Sequence, residues 1–380
     1  VSDKPIIAAN TRFAFKLFAA LVQQDSGANV FISPASVALA LAMTYNGAHG
    51  ETAQAMARTL EFGELGLDAI NQANAQLKAI LAQQQPHVAL AIANSLWARR
   101  GVEFSREFMQ RNAEFYAAEI VELDFADPGA VKRINDWVRQ QTNDKIAKII
   151  DRIPGAAVLF LINAIYFKGD WTKPFDKAHT RPGSFTLLEG KQQQHQMMSQ
   201  SGEYRYFETA DVQAISLPYA DGRLSMYLFL PAPQSSLAAF QATLSGANWD
   251  AWMRKFHTME GRIVLPRFRL EYEVTLNQAL SALGMAIAFA PQRADFSGML
   301  APDAASPNLY IDEVKHKTFV EVNEEGTEAA AVTAVMMSRA SFTVKRTFSM
   351  VVDRPFFCAI RDDQSGVILF MGSITEPKSA

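Results

Sequence analysis

Between two stretches that read as strands, residues 324–341 spell EEGTEAAAVTAVMMSRAS, and few folds can house such a segment. It follows the strand-like run KTFVEVN at 317–323 and continues without a proline or an aromatic, mostly with small side chains. Loops of this length are uncommon unless they are functional or disordered, and this one lacks the Pro, Ser and Gly richness of a linker. If it is extended, Thr327, Ala329, Ala331, Thr333, Val335 and Met337 share one side while Glu328 points the other way. With no proline, nothing in it interrupts a ladder. The same residues are good helix formers, so on composition alone a helix over 324–337 and a latent strand stand level.

The whole chain sets wider bounds. Its 380 residues, 49% hydrophobic and 20% charged, have an ordinary globular composition. Length alone would allow two or three domains, but no repeat, low-complexity linker or composition break marks a boundary. One domain over 1–380 is expected. A net charge of −3 and a pI of about 6.1 give no basic footprint for nucleic acid. The single cysteine, Cys358, excludes an internal disulfide. Its setting in FFCAI predicts a buried strand residue, not a nucleophile. No run approaches the roughly 18 apolar residues of a membrane span, so no membrane partner is expected. The opening VSDKP has no apolar signal region. Compartment stays open: extracellular or periplasmic if a leader has been removed, cytoplasmic otherwise. The lack of Asn-x-Ser/Thr sites fits a source that does not glycosylate, such as a prokaryote.

Along the chain, helical patterns come first. Phe13, Leu17 and Leu21 share a face in 10–23. Ser33-Pro34 reads as a hydroxyl cap with Pro at the first helical position, opening a helix that stops at Gly47. Further helices are predicted at 51–60, 68–84, 105–117 and 131–151. Long apolar strands are predicted at 88–98 and 157–168, apolar enough to be covered on both faces. The later chain is β-rich, with strands at 213–219, 224–230, 262–268, 317–323, 343–351, 356–361 and 367–372. Helices near 236–256 and 275–283 interrupt them. Helices first and strands later indicate an α+β fold.

No catalytic motif emerges. His49, His87, His179, His195, His257 and His316 form no HExxH and lack metal-ligand spacing. GAHGET at 47–52 has no lysine before its threonine, and no Gly-x-Ser-x-Gly elbow is present. Neither a metal nor a cofactor is expected, and the chain does not read as an enzyme. Lys132, Arg133, Arg139, Lys145 and Lys148 are interspersed with Asp136 and Asp144, the pattern of a solvated face and not of a polysaccharide-binding helix.

Taken in order, several segments resemble the serpin family over about residues 10–377. They are NVFISPASVALALAMTYNGAHGET (29–52), NAIYFKGDWTKPF (163–175), LPY (217–219), LSMYLFLP (224–231), IVLPRF (263–268), VNEEGTEAAA (322–331), DRPF (353–356) and LFMG (369–372). The resemblance implies three β-sheets, eight or nine helices and an exposed reactive loop at about 324–345. It implies a monomeric suicide-substrate inhibitor whose partner is a serine protease. The protease attacks the loop and forms an acyl-enzyme. The cleaved loop then inserts into the central sheet as an extra strand, and the covalent complex is trapped.

The resemblance also assigns residues. The hinge is Glu324, Glu325, Gly326, Thr327, Glu328, Ala329, Ala330, Ala331, Val332 and Thr333, with Gly326 supplying backbone freedom and the small residues cheap to bury. The seventeenth residue from Glu324 is Ala340, so the reactive bond is Ala340–Ser341 and the target elastase-like, with subtilisin-like enzymes a further class. A loop shorter by one residue would make Arg339 decisive and the target trypsin-like. A sheet-opening cluster comprises Ser33, Ser36, Asn163 and His316, and Trp171 marks the point of loop entry. The helix at 131–151, with Asn135, Trp137 and Thr142, covers the sheet and has to move. A non-inhibitory carrier or chaperone of the same fold is the alternative reading.

Overall fold

The computed structural model describes residues 4–81, 83, 86–304, 308–326 and 346–378. Nine α-helices occur among them: α1 (Lys4–Gln24), α2 (Pro34–Tyr45), α3 (Gly50–Thr59), α4 (Leu67–Leu81), α5 (Arg106–Tyr116), α6 (Ala130–Gln141), α7 (Leu237–Gln241), α8 (Gly246–Lys255) and α9 (Asn277–Leu280). The strands in chain order are β1 (Val30–Ile32), β2 (Val88–Arg99), β3 (Glu119–Leu123), β4 (Leu159–Gly169), β5 (Arg181–Thr186), β6 (Gln192–Glu208) and β7 (Val212–Pro218). They continue with β8 (Leu224–Pro231), β9 (His257–Pro266), β10 (Phe268–Thr275), β11 (Glu313–Val322), β12 (Phe348–Val351), β13 (Phe356–Asp362) and β14 (Ile368–Ile374).

These strands join into a five-stranded sheet, β10-β11-β4-β2-β3, and a nine-stranded network. The second branches at one strand. Seventeen-residue β6 pairs with β5 and β9 along most of its length and with β7 over Arg205–Glu208. One side then continues through β8, β13, β14 and β1, and the other through β9 to β12. The described strands thus form two hydrogen-bonded networks, the larger of which branches at β6.

Hydrophobic pattern accounts for most elements. Helix α2 is buried from Pro34 to Thr44 and lies between sheets, which is why its sequence is apolar on every side. Helix α1 is long and apolar enough over Pro5–Gln24 to cross a membrane by length and composition, contrary to the sequence expectation. Its Phe13, Leu17, Phe18 and Leu21 are buried in the main core. A second core lies between the five-stranded sheet and α6, where Ile134 and Val138 meet Phe160, Ile162, Ala164 and Trp97.

Several boundaries differ from expectation. The helix predicted over 131–151 ends at Gln141, because Asn143 and Asp144 both take positive φ. Beyond them a connector packs Ile146, Ile149 and Ile150 onto the sheet. The helix predicted over 236–256 is two, α7 and α8, each opened by its own serine cap, Ser236 and Ser245. The chain at Ser33 does enter α2 with Pro34 in its first turn, but Ser33 makes no side-chain capping bond.

Candidate functional site

Strands β4 and β11 are parallel and pair directly from Glu313↔Phe160 to Phe319↔Tyr166. They lie between antiparallel neighbours, β2 and β10. At the centre of this seam the register places Asn94, Asn163 and His316 side by side on β2, β4 and β11. The Ser33 backbone N–H donates to His316 Nε2 at 3.1 Å. Since an amide N–H can only donate, the imidazole proton resides on Nδ1, which donates to Asn163 Oδ1. Asn163 Nδ2 in turn reaches Ser36 Oγ at 2.5 Å and the Asn94 side-chain oxygen. Burial pushes the His316 imidazole down to about 3, so it is neutral.

The structure thus brings Ser33, Ser36, Asn163 and His316 together. It also corrects Ser33, whose hydroxyl is buried without a partner among the described residues and which enters the cluster through its backbone. Sequence reasoning missed Asn94. The signal was a lone amide in the apolar run VALAIANSLWA.

Beyond the last paired residues, 323–326 bridge the end of the seam to Trp171. Trp171 stacks on Tyr219 at 4.4 Å, and its indole N–H donates to the Asn323 carbonyl at 2.9 Å. Its backbone N–H reaches Glu325 O at 3.1 Å. Glu324 is 1% exposed and accepts from Arg267 Nε at 2.7 Å and from the Thr180 hydroxyl. Burial alone would raise its carboxyl, but the hydrogen bonds from Arg267 and Thr180 hold it below the usual value. Lys177 pairs with Glu325.

Gly326 has φ +82°, and a Cβ there would collide with the Trp171 backbone nitrogen and the Gly169 carbonyl oxygen. Only glycine fits this turn. Arg267 and Thr180 were not legible as site residues, since nothing in sequence places them beside Glu324. Residues Thr327, Glu328, Ala329, Ala330, Ala331, Val332, Thr333, Arg339, Ala340 and Ser341 lie outside the described residues.

On the face covered by α6, Lys317 of β11 is buried and bonds Glu271 at 2.7 Å, Glu273 at 2.9 Å and the Lys148 carbonyl at 2.8 Å. Burial opposes its charge, but hydrogen bonds to the two glutamates outweigh that and raise its pKa. Through Lys148 the α6 connector is tied across the seam. Asn135 holds the same connector to α6, accepting from Ile149 N and Ile150 N. Cys358 is fully buried on β13, where burial pushes its thiol up. Among the described residues, no group of three or more His, Cys, Asp or Glu is placed to hold a metal.

Comparisons with known proteins agree with this architecture. The family model described as Serpin (serine protease inhibitor) matches residues 8–377. Human Serpin B8 is 36% identical over 97% of this chain and 98% of its own. Human leukocyte elastase inhibitor is 34% identical over the same shares. The native-state structure of tengpin, a thermophilic serpin, has a TM-score of 0.91 at 33% identity, covering 99% of this chain and 95% of that one. Full-length similarity together with the parallel β4–β11 seam places this chain in the serpin family.

Proposed function

We propose that this protein is a suicide-substrate inhibitor of serine proteases, elastase-like enzymes foremost, which traps its target by inserting residues 327 onward between β4 and β11. The observation that carries this reading is the direct parallel pairing of those two strands. A segment leaving the end of β11 and folding back would run antiparallel to both. It would exchange one parallel pairing, slightly weaker per residue, for two antiparallel ones. The alternation of Thr327, Ala329, Ala331 and Thr333 suits the inward face of such a strand. The loop is consumed once, so the protein acts as an inhibitor and not as a catalyst.

The bond attacked is Ala340–Ser341. A small residue at 340 suits an elastase-type pocket, and the name of the human relative, leukocyte elastase inhibitor, supports that choice. The test is incubation with elastase-, trypsin-, chymotrypsin- and subtilisin-like enzymes, followed by SDS gel and mass spectrometry. A complex that survives boiling and a released fragment starting at Ser341 are expected. A fragment starting at Ala340 would move the site to Arg339, and cleavage without any complex would favour the non-inhibitory reading.

A further inference from the structure

A chain of buried amides joins three helices at the end of α2 opposite Ser33. Asn74 Nδ2 donates to Tyr116 Oη at 3.2 Å, and Tyr116 Oη donates to Asn71 Oδ1 at 2.7 Å. Asn71 Nδ2 then donates to Asn46 Oδ1 at 2.7 Å, Asn46 Nδ2 to Asn112 Oδ1 at 3.4 Å, and Asn112 Nδ2 to the Phe108 carbonyl at 3.0 Å. All five side chains are buried. The relay runs one way, from α4 through α5, back to α4, across the C-cap of α2 and into α5 again.

Burying four amides is costly unless each is satisfied, and apolar side chains of the same size would fill this space without that cost. What a satisfied network supplies is a unique arrangement of the elements that share it. The elements here belong to different moving parts. Helix α2 follows β1 across Ser33 alone, and β1 pairs with β14 in the nine-stranded network. Strand β10 follows β9 of that network across Arg267 alone, so β10 and β11 move with it. Strands β4, β2 and β3 lie across the seam, and α5 is the connection between β2 and β3.

Admitting a strand between β4 and β11 displaces β4, β2 and β3 by about one strand spacing, ~4.8 Å. Helix α5 is carried with them over α2. The Asn46–Asn112 bond spans that boundary and is the longest in the relay. A hydrogen bond is lost within a fraction of such a displacement, whereas an apolar contact can slide.

We propose that the relay is a register lock: it holds α5 on α2 while the sheet has five strands, and it must open before a sixth can enter. Asn46, Asn71, Asn74, Asn112 and Tyr116 would thereby act as positioning residues that set the rate of loop insertion. This rests on the insertion mechanism proposed above.

The experiment uses the full chain carrying Asn112→Leu or Tyr116→Phe. Asn112→Leu removes the bond across the boundary, and Tyr116→Phe removes only the hydroxyl that links α5 to α4. Neither residue lies on β4, on β11 or in 324–326. Conversion of the intact protein to a denaturant-resistant, loop-inserted form is followed at a fixed raised temperature. The guanidinium midpoint of the loop-cleaved form is measured in parallel.

A three- to tenfold faster conversion is expected, with the midpoint of the cleaved form unchanged because the relay is already broken there. An unchanged conversion rate, or intact and cleaved forms weakened alike, would overturn the lock and leave a purely structural network. Should Asn112→Leu fail to fold, Asn112→Ala, which removes the same Asn46–Asn112 bond, decides by the same criteria. A wild-type chain that gains no denaturant resistance on loop cleavage would overturn the insertion mechanism itself, and the lock with it.

Discussion

His316 and Asn163 face each other across the seam between β4 and β11, and the imidazole donates its Nδ1 proton to the amide oxygen. The other ring nitrogen accepts from the Ser33 backbone, so the ring is used fully only when neutral. A second proton would bring Nε2–H against the Ser33 N–H in a fully buried site.

Acid sensitivity is the consequence. The folded-state value of about 3 lies below the unfolded value of 6.5, so the unfolded chain binds the extra proton over that window. The stabilisation from neutral His316 is complete above pH 6.5 and is lost as pH falls towards 3, at a limiting slope of about 1.4 kcal/mol per pH unit. Denaturant midpoints of the intact protein should decline through this range. His316→Gln should flatten that part of the profile, and superimposable profiles would remove His316 as the cause.

Arg267→Met should weaken the turn that follows β11. It leaves the buried Glu324 carboxylate with Thr180 as its side-chain donor, and breaking a buried pair from one side costs about 3 kcal/mol. The intact form should melt several degrees lower and convert to the inserted state sooner. A melting temperature equal to wild type would show that Glu324 and Arg267 are not coupled to stability.

Gly326→Ala should disrupt the turn over Asn323–Gly326. Positive φ alone costs a non-glycine residue about 1–2 kcal/mol, and the collision with Trp171 N and Gly169 O adds to it. Loss of the Trp171–Asn323 bond should alter tryptophan emission and lower the melting temperature of the intact form. Wild-type emission and melting would contradict the close approach at Gly326.

Thr327→Arg addresses the loop itself. A charged side chain on the inward face would have to be desolvated as the strand enters, at a penalty that can reach several kcal/mol. Insertion would then lose its race with deacylation. Cleavage should continue while the inhibition stoichiometry climbs well above one. Unchanged stoichiometry would count against insertion as the trapping step.

Much of the fold was legible because burial imposes periodicity. The apolar runs at 88–98 and 157–168 became β2 and β4, and Ser33-Pro34 opened α2 where expected. Strand β6 was missed for a physical reason. Its QQQHQMMSQSGEYRYFE is rich in residues with little strand preference, and its extension is imposed by pairing with β5, β7 and β9. Strand β10 was missed despite a clear signal, since Phe268, Leu270 and Tyr272 are buried and alternate with Arg269, Glu271 and Glu273. The early end of α6 depends on two left-handed residues, which side-chain pattern does not reveal.

By itself the sequence determined the α+β class and the family, because hydrophobic period and motif order are local properties, while for 324–341 it left helix and strand level. Tertiary structure alone decided what stands next to what. It placed Asn94 beside Asn163, buried Glu324 against Arg267, tied Lys317 to the α6 connector and drew four asparagines and Tyr116 into one relay. Each contact joins residues far apart in the chain or on different elements, and only the register of packed strands and helices fixes which partner a buried polar group will meet.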